Sequence, residues 1–282
     1  MRSCLDHDKD VLMEIIPGVH QVDDVTGSNV VLIVDDEMTL VDTGIGGNGE
    51  AILTYIRKIG RDPSDLKRIV LTHFHYDHSG SAQELHEATG ARIVTHRSET
   101  ESSYSGKVLL RKGNEGQDPP TWYKWVRGFG SRRVSRETYP DTEVHDIVEQ
   151  GDVLPALGGI RIMHTPGHTP GSICPFLEGP SVLFLGDSVL NNIDRLSRPL
   201  TWDSRNRNQL DLSLRSLRDL DADTACFGHG PSLEVDVMNR IRKMTDRPYN
   251  VPTWRIVMKN WKTLVRFQES TRRAGNWQGG PR

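Results

Sequence analysis

The sequence predicts an α/β chain whose second half repeats the style of the first. Short apolar runs alternate with stretches of helical apolar spacing. Glycine and proline punctuate them. In both halves, several runs lead directly into a histidine or an aspartate.

The first half opens with a hairpin. Val30 to Val34 and Met38 to Val41 are apolar runs separated by Asp35, Asp36 and Glu37. Asp42-Thr43-Gly44 ends the second run, and a glycine-rich loop follows. From Glu50 to Ile59, the residues Ile52, Leu53, Ile56 and Ile59 recur at helical spacing, with Gly60 as the stop. A buried strand, Arg68 to Leu71, runs into Thr72-His73-Phe74-His75-Tyr76-Asp77-His78. Ser79 to Ala88 reads as a helix ended by Gly90, and Ala91 to Thr95 as another strand.

In the second half, Gly159 to Met163 is a strand entering His164-Thr165-Pro166-Gly167-His168. Val182 to Leu185 is a strand ending at Gly186-Asp187. Gln209 to Leu220 has helical spacing. Thr224 to Phe227 is a strand ending at Gly228-His229-Gly230, and the chain beyond Leu233 reads as helix to about Met244.

The segment from about Arg97 to Asp146 is poor in periodic apolar residues and rich in glycine and proline. Lys107, Arg111, Lys112, Lys124, Arg127, Arg132, Arg133 and Arg136 face few acids there, and Trp122, Tyr123, Trp125 and Phe129 supply aromatic bulk. It reads as a cap-like insertion (97–146) covering an active site. A solvated loop with aromatic anchors is the equal alternative. Residues 1–246 are expected to form the catalytic domain, and 247–282 a basic, helical C-terminal tail. Ile256, Val257, Trp261, Leu264 and Phe267 give that tail an apolar face. Packing on the domain is the expected use of that face, with a homodimer partner as the alternative.

A length of 282 residues suffices for one large domain or two small ones, with a sizeable core. The 26% charged and 35% hydrophobic residues are those of an ordinary globular chain. A net charge of −3 argues against a nucleic-acid partner. Runs such as Ser181 to Gly186 are too short to span a bilayer, so no membrane partner is expected. The first residues, MRSCLDHDKDVLMEI, place acids where a signal peptide needs its apolar core. Cys4, Cys174 and Cys226 form no CxxC pair. The expected compartment is the cytoplasm, with reduced thiols.

Candidate metal ligands gather where strands end. His73 and His75 are two apart, so on extended chain their imidazoles point to the same side. Asp77 and His78 follow at the start of the next helix. His168, Asp187 and His229 each end a separate strand. Of the 11 histidines, five fall at these positions. Imidazole nitrogen with carboxylate oxygen suits zinc, iron or manganese. Cys226 lies near His229 but sits mid-strand beside Phe227 and reads as packed. His164 reads as a strand-end residue with no catalytic task.

The motif His-x-His-x-Asp-His, then a histidine after Thr-Pro-Gly, then Gly-Asp, then Gly-His-Gly, resembles the metallo-β-lactamase superfamily from about Ile16 to Pro231. The resemblance implies an αββα sandwich with the site at one edge of the sheets. It also implies His73, His75 and His168 as ligands of a first metal, and Asp77, His78 and His229 as ligands of a second. Asp187 would be the bridging carboxylate. Asp42 resembles the buried aspartate behind the site, where an imidazole's other N–H needs a partner. Its alternative is a turn cap.

Two divalent ions, expected to be zinc, roughly 3.5–4 Å apart can hold a bridging water and bring its pKa toward about 7. The implied activity is hydrolysis of an ester-type bond in a small, anionic molecule such as a lactone or thioester. Asp77 and Asp187 are the expected catalytic carboxylates. Antibiotic-hydrolysing members with this pattern usually lack the bridging aspartate, which lowers the β-lactamase reading. Quorum-signal lactonases commonly carry a tyrosine shortly after it, whereas Asp187 is followed by Ser188-Val189-Leu190-Asn191-Asn192. Tyr104 or Tyr123 would have to substitute. A phosphodiesterase or nuclease, drawing on the basic stretches, and a mono-iron sulfur dioxygenase complete the alternatives.

Overall fold

The computed structural model describes residues 13–103, 106–112, 141–192, 195–199 and 204–247. The aromatic stretch of the insertion, Cys4 and the tail beyond Arg247 lie outside these residues.

The first half supplies β1 (Met13–Ile16), β2 (Val19–Gln21), β3 (Val31–Ile33), β4 (Met38–Val41), β5 (Leu66–Val70) and β6 (Arg92–His96). A separate ladder of β7 (Thr100–Ser102) and β8 (Val108–Leu110) follows, then β9 (Asp146–Val148). β1 to β6 and β9 form a seven-stranded sheet in the order β1-β2-β3-β4-β5-β6-β9, antiparallel up to β4 and parallel beyond it. α1 (Gly49–Lys58), α2 (Tyr76–Ser79) and α3 (Ala82–Thr89) belong to this half.

The second half supplies β10 (Val153–Leu154), β11 (Ile160–His164), β12 (Ile173–Leu177), β13 (Val182–Phe184), a small ladder of β14 (Leu190–Asn191) and β15 (Leu196–Ser197), and β16 (Thr224–Cys226). α4 (Arg207–Ser216) and α5 (Val237–Thr245) complete it. Its five-stranded sheet runs β10-β11-β12-β13-β16, antiparallel up to β13 and parallel from β13 to β16. Each half is thus a meander that ends in parallel strands, which is the repetition the sequence predicts.

Alternation along the strands builds the layers, because successive side chains leave a strand on opposite faces. Leu32, Leu40, Ile69 and Ile93 pack with Ile52, Tyr55, Ile56 and Leu85 of α1 and α3. Their neighbours Val31, Val41, Val70 and Val94 face the other way and meet Ile160, Ile162, Val182 and Phe184 of the second sheet. Leu183 and Ala225 point outward again, onto Leu210, Leu214, Met238 and Ile241 of α4 and α5. Three apolar layers between four structural layers make the expected αββα sandwich. Cys174 and Cys226 are free and buried; Cys226 packs in the layer between the sheets, as expected. Burial pushes their thiols up to about 11 and about 12, so neither offers a thiolate.

Two expectations change. The helix read from Ser79 to Ala88 is two helices, α2 and α3, broken at Gly80 and Ser81. A Cβ at Gly80 would clash with Gly46 N and lie 2.6 Å from Ile45 C. At this crossing the Gly80 amide donates to Gly44 O at 2.9 Å and the Ser81 amide to Thr43 Oγ1 at 3.2 Å, so neither continues a helical ladder. Ser81 Oγ instead donates to Ile45 O at 2.8 Å. Gly90 still ends α3, in the left-handed region at φ 75°. The insertion, too, is less basic where it is described, because Lys107 pairs with Glu143 and Lys112 with Asp141. Among the described residues, no helix is long and apolar enough to cross a membrane.

Candidate metal centre

The centre lies beyond the C-terminal ends of the strands, where an α/β sheet characteristically leaves its binding crevice. β4 delivers Asp42. β5 leads into the loop carrying His73 and His75, and Asp77 and His78 ride on α2. The turn after β11 carries His168, the turn after β13 carries Asp187, and the turn after β16 carries His229.

All seven expected ligands converge. One donor atom from each of His73, His75 and His168 falls within a single 4.8 Å cluster; the same holds for Asp77, His78 and His229, and for His73, His78 and Asp187. His75 Nδ1 lies 3.0 Å from His168 Nε2. Asp187 sits between the two triads. Its Oδ1 is 3.2 Å from His78 Nε2 and 3.5 Å from His229 Nε2, while Oδ2 is 3.7 Å from His168 Nε2. His229 Nε2 also lies 3.3 Å from Asp77 Oδ2. The side chains of His78 and His168 are fully buried, whereas those of Asp77 and His229 keep 27% and 16% of their surface. The centre therefore opens on the side of Asp77 and His229.

The two triads differ electrostatically. Burial, and then the imidazoles of His78, His75 and His168, hold His73 well below the usual histidine range. Burial likewise takes His168 down to about 4. These imidazoles are neutral at physiological pH, with lone pairs available. At His78, burial also disfavours the charge, but Asp187 and Asp42 outweigh it and hold the group well above its usual value. His229 is raised against burial by Asp187 and Asp77. Against burial, His229 and His78 hold the Asp77 carboxyl below the usual range, and they do the same for Asp187. Ionised carboxylates thus surround the second triad, and their field favours positive charge there.

Asp42 lies behind the cluster, against His78 and Thr72. Its Oδ2 meets His78 Nδ1 at 2.7 Å, and its Oδ1 accepts from the Thr72 amide at 2.8 Å. Thr72 Oγ1 donates to Asp42 Oδ2 at 2.8 Å and lies 3.1 Å from His73 Nδ1. Asp42 holds a left-handed backbone, φ 59°, an uncommon conformation outside glycine. The turn-cap alternative does not describe these contacts.

Other contributors went unread in the sequence. Asn29 Nδ2 donates to Phe227 O at 2.9 Å and Gly230 O at 2.6 Å, and the Asn29 amide donates to Gly228 O. The Ser28 amide donates to Asp77 O. One short loop thereby holds the carriers of both Asp77 and His229. A Cβ at Gly228 would clash with Asp187 Oδ1 and lie 2.6 Å from His78 Cε1, so only glycine fits behind these ligands. Glu99 is buried beneath the first triad. Its carboxylate accepts from two backbone amides and one hydroxyl, partners that leave no pattern in the sequence to mark it. His164 stacks on His96 with ring centroids 3.8 Å apart and reaches Pro170 O, away from the cluster.

The donor set fits divalent metal. His73 Nε2 is buried without a hydrogen-bond partner, which is costly unless something else binds it. It points into a cluster of imidazole and carboxylate donors of the kind that coordinates zinc, iron or manganese.

The family model described as metallo-beta-lactamase superfamily matches residues 23–229. Curated relatives include the acyl-coenzyme A thioesterase MBLAC2 of Gallus gallus, 29% identical over 57% of this chain and 57% of that protein. The hydroxyacylglutathione hydrolase GloC of Haemophilus influenzae is 29% identical over 56% of this chain and 65% of that protein. The chain therefore spans less than two thirds of the length of either relative. Among solved structures, a metallo-beta-lactamase family protein from Thermus thermophilus superposes with a TM-score of 0.60 at 23% identity, covering 95% of this chain and 98% of that one. That likeness establishes the fold. With the family model matching well over half of its length, the chain belongs to the metallo-beta-lactamase superfamily.

Proposed function

We propose that the chain is a binuclear metal-dependent hydrolase acting on an ester-type bond, a thioester or lactone, in a small molecule. The observation that carries this reading is the position of Asp187, within 3.2–3.7 Å of imidazoles from both triads. A carboxylate so placed would be within reach of an ion held by either triad. In this reading His73, His75 and His168 hold the first ion, Asp77, His78 and His229 the second, and Asp187 both. Zinc is the metal proposed.

Two such ions supply a water that ionises near neutral pH and a Lewis-acid contact for the substrate oxygen. The chain's residues do the rest. The neutral imidazoles of His73 and His168 offer lone pairs without first losing protons. Asp187, ionised and buried, balances the charge of the pair. Asp42 fixes the ring of His78 through Nδ1, leaving Nε2 directed at the centre. Asp77 stands at the mouth beside His229. A carboxylate held below its usual range is a weak base, so Asp77 acts mainly by orienting the attacking water rather than by storing its proton.

The relatives are by name a thioesterase and a hydroxyacylglutathione hydrolase, which favours acyl substrates. The test is a panel of thioesters, lactones, phosphodiesters and β-lactams on one zinc-loaded preparation. The expected result is turnover of a thioester or lactone that a chelator abolishes and zinc restores. Turnover confined to phosphodiesters or β-lactams, or activity that survives metal removal, contradicts the proposal.

A further inference from the structure

Glu99 ends the single 3₁₀ turn, Arg97–Glu99, that leaves β6, and none of its surface is exposed. Donors from two separate loops converge on its carboxylate. Oε2 accepts from the Phe74 amide at 2.8 Å. Oε1 accepts from the Thr169 hydroxyl at 2.9 Å and from the Gly171 amide at 2.5 Å. Phe74 lies between His73 and His75, and Thr169 directly follows His168. One side chain therefore joins the two loops that carry all three imidazoles of the first triad.

The surroundings are shaped for a carboxylate. A Cβ at Gly171 would lie 2.6 Å from Glu99 Oε1 and 2.9 Å from the Glu99 amide, so glycine there lets the group approach the loop. Among the described residues, its hydrogen bonds come from three donors, the nearby Arg111 adds positive charge, and an ionised carboxylate is acceptor-only at both oxygens. Burying that charge is expensive unless charge-assisted hydrogen bonds compensate. A glutamine would turn an N–H group toward one donor or another.

We infer that Glu99 is a positioning residue for the first metal, holding the Phe74 loop and the Thr169–Gly171 loop together so that His73, His75 and His168 meet at one point. This rests on the binuclear reading above.

The test is cobalt titration of the full chain after chelator treatment, following visible absorption and stoichiometry for wild type, Glu99→Gln and Thr169→Val. His75→Ala and His229→Ala identify the first and second bands. Circular dichroism checks folding. Glu99→Gln should weaken the cobalt site that His75→Ala abolishes by about 10–100-fold, the usual effect of losing a group behind a ligand. The site that His229→Ala abolishes should stay within about threefold. Thr169→Val, which removes one of the three hydrogen bonds, should weaken the same site less; it decides the matter alone if Glu99→Gln does not fold. Unchanged affinity at both sites, or equal loss at both, overturns the role of Glu99 while leaving the binuclear reading intact. A wild type that binds no cobalt overturns that reading and this inference together.

Discussion

The two triads lie side by side but are held by different means. Behind the second, Asp42 grips the imidazole of His78 directly, and Asp77 and Asp187 crowd the same histidines with negative charge. Behind the first, Glu99 touches no imidazole and works through the backbone of the loops. The first triad's His73 and His168 are kept neutral by burial, whereas His78 and His229 are pulled toward the charged form by carboxylates. One triad is thus held by loop geometry and the other by charge. Variants behind the ligands should separate the two.

The largest effect is expected where the comparison collapses, at the residue common to both sides. Asp187→Asn should bring hydrolysis to background and weaken both ions, measured by turnover and equilibrium dialysis; retention of both ions would refute the shared role. Next comes Gly228→Ala, whose new methyl group collides with Asp187 Oδ1 and crowds His78. Overpacking of this kind costs about 1–3 kcal/mol. The second ion should be lost before the first, which thermal melting and metal titration would show. Asp42→Asn should lower affinity for the second ion by about 10–100-fold and leave the first within a few-fold, the mirror image of Glu99→Gln; equal losses would erase the distinction.

The smallest effect is a pH dependence of the metal-free protein. Burial raises Glu99 from 4.5 to about 7, against the pull of its three donors. The folded state therefore binds more protons than the unfolded state between those values. Its stability contribution is fully present below about 4.5 and is lost as pH rises through about 7. In chelator-treated protein, wild type should lose on the order of 2 kcal/mol relative to Glu99→Gln across that window. Urea melts at pH 5 and pH 8 measure it, and a constant difference would contradict it.

The sequence showed the centre where side chains touch side chains. His73, His75, Asp77, His78, His168, Asp187 and His229 stand in recognisable spacings at strand ends, and Asp42 in a Val-Asp-Thr-Gly turn. The strands are legible as apolar runs, but their facing is not: Leu32 and Val31, or Ile69 and Val70, are equally apolar, and only the packing sorts them between layers. What stayed hidden acts through backbone or empty space. Glu99 and Asn29 bind amides and carbonyls of residues far along the chain, and those groups have no identity in a sequence. Gly228 is identified only by the ligands that would meet its Cβ. The break between α2 and α3 is hidden for a related reason: it lies where the Gly80 and Ser81 amides donate to Gly44 O and Thr43 Oγ1, groups of a distant loop.

Elemental analysis measures directly whether the centre is binuclear. Protein equilibrated with excess zinc and dialysed free of it should retain close to two ions per chain, both removed by a chelator with a drop in melting temperature. A single retained ion, with the seven residues intact and the protein folded, would contradict the binuclear reading.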